Sequence, residues 1–523
     1  MEATEQARES AAWLVENASQ PVVSRRGKPL ALSAIVLSSL VLGLDSTIVV
    51  TALPTLSSKL SATTDQLQWI TTAYLLGLAG FMIPAGVLAD RLGRRRMMLL
   101  ALLAFGVSSV GASQMTGAGG LILMRALMGI SGAFIFPISL AVLPTIFSET
   151  ERPRAIAIGG AGMFLGLPLG PLVAGWLLTH YEWGSIFLIN APVVLLALIG
   201  VRLFIPESRD SNARPLDFTG AALAISGVTS LVYGIIEQPA RGWADHGVLA
   251  SLTLGIILLA GFTFWEVRNP SPLVDLRFFL NPRFSWSVLV SAVMSFALMG
   301  TLFVLTPFLQ IVLGNDAQAT GLRLLPLIGG IVLGAAGSDR LVARLGVRFM
   351  LALGLLICGA GLLLMSLAGA GSGYGLIVAA LPVIGVGNAF AMFTAINVIL
   401  DVFPDSQTGV GSALVRTLGQ IGSSFGIALM GSLLNNRYRA ELTGYVTGLP
   451  SHARELAEGS VAGAALIAGN MPEALRAPLA VAADDAYSDG MSVVLRVSAA
   501  LLFVIACLVA TLMPERSPAR DRD

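Results

Sequence analysis

Two ionisable residues stand inside long apolar runs. Asp45 lies in Leu44-Asp45-Ser46-Thr47-Ile48-Val49-Val50-Thr51-Ala52-Leu53-Pro54, and Arg125 in Leu121-Ile-Leu-Met-Arg125-Ala-Leu-Met-Gly129-Ile-Ser-Gly132. A charge at mid-bilayer costs about 2.5–3.5 kcal/mol on insertion scales, and intramembrane acids usually mark ion pathways. Burial makes protonation of a carboxyl near neutral pH accessible, and a guanidinium beside it favours release of that proton. The chemistry on offer is reversible protonation of Asp45, tuned by Arg125. The alternatives are a structural carboxylate bonded to its neighbours and an arginine that snorkels to the near surface. Helical spacing puts Ala34, Ser38, Val41 and Ala52 on the Asp45 face, so that face is small and suits a cavity or a partner helix. Gly129, Gly132 and Phe136 share the Arg125 face.

Other patterns carry weaker chemistry. Gly162, Gly166, Gly170 and Ala174 recur at every fourth position, a smooth ridge for close helix packing, with Pro168, Pro171 and Gly175 beside it. The prolines remove backbone donors and should bend the helix. A third intramembrane charge, Arg416, sits with Gly419, Gln420, Gly422 and Ser423, either as a gate partner for Asp90 or as a snorkelling side chain. Tyr74, Phe136, Phe164, Met294, Phe296, Met299, Phe303, Asn388, Phe390, Phe393 and Asn397 are candidates for lining a substrate cavity, because methionine and aromatic surfaces adapt to apolar ligands. Taken singly, each also fits a core or lipid-facing place. His180, His246 and His452 have no ligand spacing, Cys358 and Cys507 read as small core residues, and no metal site or phosphate loop is present.

The elements that must position these residues follow from composition. The chain has 523 residues, 55% hydrophobic and 12% charged, with a mean hydropathy of +0.80. A soluble domain carries about twice that charge, so this is an all-α polytopic membrane protein. Fourteen apolar runs of spanning length lie near 30–54, 67–88, 97–115, 119–143, 155–178, 186–205, 217–237, 247–267, 285–309, 321–339, 349–369, 375–402, 408–434 and 490–513. Most of the 32 Lys and Arg fall in the tails and one alternate set of loops, whereas the opposite loops and their edges hold Lys59, Arg241 and Arg323. That asymmetry predicts both termini in the cytoplasm. The Ala-rich stretch 435–489, where segments near 451–468 and 473–487 could form short helices, is expected to be a tolerated surface insertion on the outer side, with a cap over an opening as the alternative.

The loop Gly86-Val-Leu-Ala-Asp90-Arg91-Leu-Gly93-Arg94-Arg95-Arg96 joins the second and third runs. Asp339-Arg-Leu-Val-Ala-Arg344-Leu-Gly346-Val-Arg348 echoes it eight runs later. Two extra runs, the seventh and eighth, then separate two six-run halves. The expected organisation is a tail at 1–29, a six-helix bundle at 30–205, two additional helices within 206–284, a second bundle at 285–513 and a tail at 514–523.

The first of these loops resembles the one between helices 2 and 3 of the major facilitator superfamily. There the glycine allows close packing, the acid caps and pairs, and the basic cluster holds a cytoplasmic gate; Gly86, Asp90, Arg91, Gly93, Arg94 and Arg96 would take those roles. With Leu44 to Pro54, Gln68-Trp69-Ile70, Trp183, Phe187-Leu188-Ile189-Asn190, Leu216-Asp217-Phe218-Thr219-Gly220, Pro272-Leu273-Val274-Asp275-Leu276 and Pro307-Phe308-Leu309-Gln310, the chain resembles the fourteen-span drug:proton antiporters, the EmrB/QacA type. The ridge at Gly162, Gly166, Gly170, Pro171 and Gly175 resembles their antiporter motif. The usual Arg-Trp is Gly184-Ser185 here, and Ala174 stands where Gly is commoner.

The resemblance implies a major facilitator fold with 14 helices arranged 6+2+6. It implies efflux of lipophilic, cationic drugs by alternating access, driven by a proton gradient without a cofactor. The chain is expected to act as a monomer in a bacterial cytoplasmic membrane, with lipid, protons and small molecules as its partners and no nucleic acid. A carrier of one metabolite and a non-transporting sensor are the alternatives.

Overall fold

The computed structural model describes residues 27–148, 150–209, 217–270, 272, 275–402 and 408–514. The expected tails fall largely outside these residues, as do Leu216, Leu273, Val274 and the Phe164 side chain. The described chain is helical: α1 (Gly27–Leu60), α2 (Thr64–Leu92), α3 (Arg94–Ser113), α4 (Ala118–Ala141), α5 (Arg152–His180), α6 (Asn190–Phe204), α7 (Phe218–Arg241), α8 (His246–Arg268), α9 (Pro282–Pro307), α10 (Leu325–Leu345), α11 (Val347–Met365), α12 (Gly375–Asp401), α13 (Thr408–Val446) and α14 (Glu473–Leu512). Among the described residues twelve helices are long and apolar enough to cross a bilayer, and α2, bent at Pro84, makes thirteen. The remaining helix, α5, has 29 residues and packs along α1.

Polar side chains of the apolar helices fold back on their own backbone: Ser38 donates to the Ala34 carbonyl at 2.8 Å, Ser46 to Leu42 at 2.6 Å and Ser139 to Ile135 at 2.7 Å. In lipid, where no water can satisfy them, this keeps hydroxyls on a spanning helix. α8 turns Ile256, Ile257, Phe264 and Val267 outward, a surface suited to lipid and not to water.

α1 packs on α5 and α6, α2 on α4, α9 on α13, and α12 on both α10 and α11. The pair α7–α8 lies against α2 and α13, where Ser432 donates to the Ile235 carbonyl at 2.7 Å and Asn436 to Gln238 at 2.8 Å. Asp217 caps α7 through the Gly220 N–H at 2.8 Å and accepts from Trp265 of α8 and from Asn269. A cavity of about 240 Å³ lies between this pair and the bundle, walled by Leu76, Ile225, Phe262, Phe279, Leu414 and Ile421.

Two expectations need correction. The stretch after residue 434 is not a loop at first: α13 runs on to Val446, and α14 begins at Glu473, well before residue 490. Hydropathy ends where the polar residues begin, but those residues form helical pairs. Arg437 meets Glu441 at 2.6 Å, and Arg439 meets Asn435 at 3.3 Å. Short helices Ser451–Gly459 and Val461–Gly469 cross between the two extensions. They sit on the bundle as a cap: Ser57 and Ser460 share a hydrogen bond of 2.8 Å, and Thr64 donates to the Gly459 carbonyl at 2.7 Å. Cys358 is buried as expected, whereas Cys507 is exposed, on the outward face of α14.

Candidate functional site

α1, α4 and α6 bring together the charges that the sequence singled out. Arg125 Nη1 donates to Asp45 Oδ2 at 2.5 Å, and the two side chains are 1% and 0% exposed. Arg125 Nε also donates to the Ile70 carbonyl at 3.1 Å, and its guanidinium lies 4.2 Å from the centre of the Tyr74 ring. Tyr74 is itself fully buried. The other carboxylate oxygen, Oδ1, accepts from Asn190 Nδ2 at 3.2 Å, and that amide also meets Ser109 Oγ at 3.0 Å. Ser109 donates onward to the Phe187 carbonyl at 2.8 Å. Arg125 does not snorkel: it is spent on Asp45, a carbonyl and an aromatic face. Asn190 was noted only as part of a motif of the resemblance and Ser109 not at all, because a neutral polar residue in an apolar run has no charge to mark it as a partner of Asp45.

Helix contacts made possible by glycine hold this constellation in place. A side chain at Gly129 of α4 would run into the Tyr74 backbone of α2. Along α5, Gly162 faces the Val36 carbonyl, Gly166 the backbone around Leu44, and Gly170 the Thr47 hydroxyl, all on α1. The ridge therefore carries the helix that bears Asp45. Its far end meets another element: Gly175 abuts Ala317 and Gln318, and Gly321 abuts Pro171.

The basic turn is bound to its own neighbours. Asp90 Oδ1 accepts from Arg94 Nε at 2.7 Å, and Arg94 Nη1 reaches the Ala141 carbonyl at 3.1 Å. Arg96 approaches Glu207 at 3.6 Å, and the Arg95 N–H meets the same carboxylate at 3.1 Å. Gly93 sits at φ +111, a conformation that side chains disfavour, and this lets α3 start directly where α2 ends. Gly86 has more room than a close-packing role requires, since an added Cβ would meet nothing nearer than Pro137 at 3.9 Å. Arg91 is exposed on the turn.

Arg416 lies elsewhere. Its guanidinium is 4.2 Å from the centre of the Phe136 ring on α4, within electrostatic reach of Tyr74. Asp90 is engaged by Arg94. Of the cavity candidates, Met294 and Phe303 are buried, Phe296, Met299, Phe390 and Phe393 are half-buried, and Asn397 is exposed. Asn388 donates to the Met294 carbonyl at 3.4 Å.

The cap end of the bundle is closed by contacts between the first and last six helices. Gln68 of α2 donates to the Ile427 and Ala428 carbonyls of α13, both at 3.0 Å. Gln310, beyond α9, donates to the Thr51 carbonyl at 2.7 Å. Phe303 packs into this closed end beside Gly431 and Gln68. At the opposite end, the bonds found for the basic turn stay within the first six helices.

Solved structures share this arrangement. A bacterial homologue of the human lysosomal transporter Spinster, in an inward-facing and unoccupied conformation, superposes with a TM-score of 0.65 at 20% identity, covering 95% of this chain and all of that one. Among curated relatives, the tetracenomycin C resistance and export protein of Streptomyces glaucescens is 32% identical over 94% of this chain and 93% of its own length. The multidrug efflux pump LfrA of Mycolicibacterium smegmatis is 30% identical over 92% and 95%. The puromycin resistance protein pur8 of Streptomyces alboniger is 32% identical over 80% and 84%. Residues 35–427 match the Major Facilitator Superfamily as a whole. With the helical bundle, the buried charge pair and the glycine-packed helices in place, the chain is a multi-pass membrane protein that belongs to the major facilitator superfamily.

Proposed function

We propose that this chain exports lipophilic small molecules, drugs among them, across a bacterial cytoplasmic membrane in exchange for protons. The observation that carries the proton part is the buried Asp45–Arg125 pair. An acid kept in a bilayer and bonded to a single cation can exist charged with that partner or neutral without it. Breaking a buried pair by removing one charge costs about 3–5 kcal/mol, so loading a proton on Asp45 must be coupled to a rearrangement around Arg125. The Ile70 carbonyl and the Tyr74 face already hold part of the guanidinium and can retain it when the carboxylate is neutral.

The basic turn faces the cytoplasm in this reading, as its arginines require. The cap then covers the outer face, and the structure is closed to the outside. In the alternating cycle a substrate enters from the inside, the cap end opens, and a proton from outside takes Asp45 as the substrate leaves. Asp90 and the arginines around it would lock the inner end in the outward-open state. The helix plan is 6+2+6 with fourteen spans, as in the EmrB/QacA type, α5 being the fourteenth, and one chain suffices for transport. Relatives named for tetracenomycin C resistance and export, for multidrug efflux and for puromycin resistance support the substrate class.

The test is dye efflux in proteoliposomes with an imposed pH gradient, comparing the native chain with Asp45→Asn. Uphill movement by the native protein, lost in the variant, is expected. Equal uphill movement by both would remove Asp45 from coupling.

A further inference from the structure

The charges at mid-depth do not balance. Asp45 and Arg125 neutralise each other and are closed off by Asn190, Ile70 and Tyr74. Arg416 is left as an additional cation. Among the described residues, other carboxylates of the helices lie towards helix ends, as Asp90, Glu237 and Asp401 do, or, like Asp484, Asp485 and Asp489 of α14, ahead of that helix's apolar run. Arg416 projects from α13, in the last six helices, onto Phe136 of α4, in the first six, so it stands where the two sets face each other. Its Nη2 is shielded from solvent and has no hydrogen-bond acceptor among the described residues. A charged donor without an acceptor is unfavourable in such a place. Arginine is also the side chain whose planar fork binds carboxylate-like oxygens while its face stacks on a ring.

We infer that Arg416 is the counter-charge for an acidic group, a carboxylate or phenolate, on a planar aromatic substrate that packs beside Phe136. The inference rests on the efflux reading for its substrate and departs from it on charge, because cationic drugs would meet a like charge here and find Asp45 already engaged. Among the described residues, the groups found against Arg416 are the Phe136 ring and, at longer range, Tyr74; neither supplies a negative charge.

Binding to the full-length protein in lipid nanodiscs, without any gradient, tests this. The probes are anthracene-9-carboxylate and its cationic counterpart, 9-anthracenylmethylammonium, followed by their own fluorescence. The native chain is expected to bind the carboxylate at least tenfold more tightly than the ammonium. Arg416→Gln should weaken the carboxylate about tenfold and leave the ammonium unchanged or tighter, and Arg416→Lys should keep part of the preference. Equal binding of both probes by the native chain would overturn the inference. Equal weakening of both by Arg416→Gln would also overturn it and make Arg416 a packing partner of Phe136. If Arg416→Gln loses its monodisperse elution, the native chain still decides: carboxylate binding must weaken as the pH falls through the probe's own pKa, and a flat profile refutes the charge contact. Because no gradient is used, a chain that binds the carboxylate but drives no pH-dependent flux would defeat the antiport reading and sustain this one.

Discussion

In the Asp45–Arg125 pair neither charge can be removed alone without stranding the other in a low-dielectric site. Asp45→Asn should therefore lower the detergent melting temperature as well as stop proton coupling. Asp45→Asn combined with Arg125→Gln should recover most of the lost stability, because no buried charge remains, while transport stays absent. Thermal melts and dye efflux on the same preparations separate the two effects. A double variant as unstable as Asp45→Asn would show that the pair is not a mutual compensation. Both members were legible in the sequence because a charge inside an apolar run is costly enough to stand out. Their geometry was not, since spacing along one helix says nothing about which face of another helix it meets. The same limit explains Arg416: its depth was readable, but its partner, Phe136 instead of Asp90, depends on how α4 and α13 sit side by side.

Helices meet where glycine lets them. Gly162 on α5 lies on the Val36 carbonyl, so Gly162→Val must push α1 and α5 apart or distort them. Overpacking of this kind costs about 1–3 kcal/mol; a lower melting temperature and reduced dye efflux are expected, against little change for Gly444→Ala, which has open space around it. The ridge was plain from its four-residue period, and it found its partner. The helices near 451–468 and 473–487 were legible in outline, but their seat on the bundle was not, because an Ala-rich segment carries no long apolar run to say what it covers. One neighbour of the cap titrates. Partial burial, and then the adjacent Asp485, push the Asp484 carboxyl on α14 up to about 6. The folded state then binds the proton more tightly than the unfolded chain, whose value is near 3.9. Stability should fall as pH rises from about 4 to about 6 and stay level above that. Asp484→Asn should flatten this slope in melts taken across that range; an unchanged slope would assign it to another group.

At the scale of the whole molecule, closure of the cap end is a set of bonds between the first and last six helices and the segment that bridges α13 and α14. Opening must break the Ser57–Ser460 and Thr64–Gly459 bonds and withdraw Gln68 from α13. A disulfide placed across the first of these, Ser57→Cys with Ser460→Cys in a Cys507→Ser background, should stop efflux under oxidising conditions and release it on reduction. Transport unaffected by a cross-link verified on a gel would mean that this end need not separate. That the chain is a bundle of long apolar helices was readable from the sequence, because lipid forces such helices. The closed cap end was not, since conformational state depends on contacts between residues hundreds of positions apart.

The cap also sets how the carrier idles. It belongs by covalent connection to the last helices but grips the first two through a few hydroxyls and a carbonyl. Ser57 lies about 18 Å along α1 from Asp45, so changes there can alter how often the empty carrier opens without touching the buried charge pair. A lost hydroxyl at Ser57 would loosen the throttle: turnover with substrate could rise, and so would the leak of protons when nothing is being exported. The fitness of such a carrier would then depend on the energy that the cell can spare as much as on the toxin that it meets.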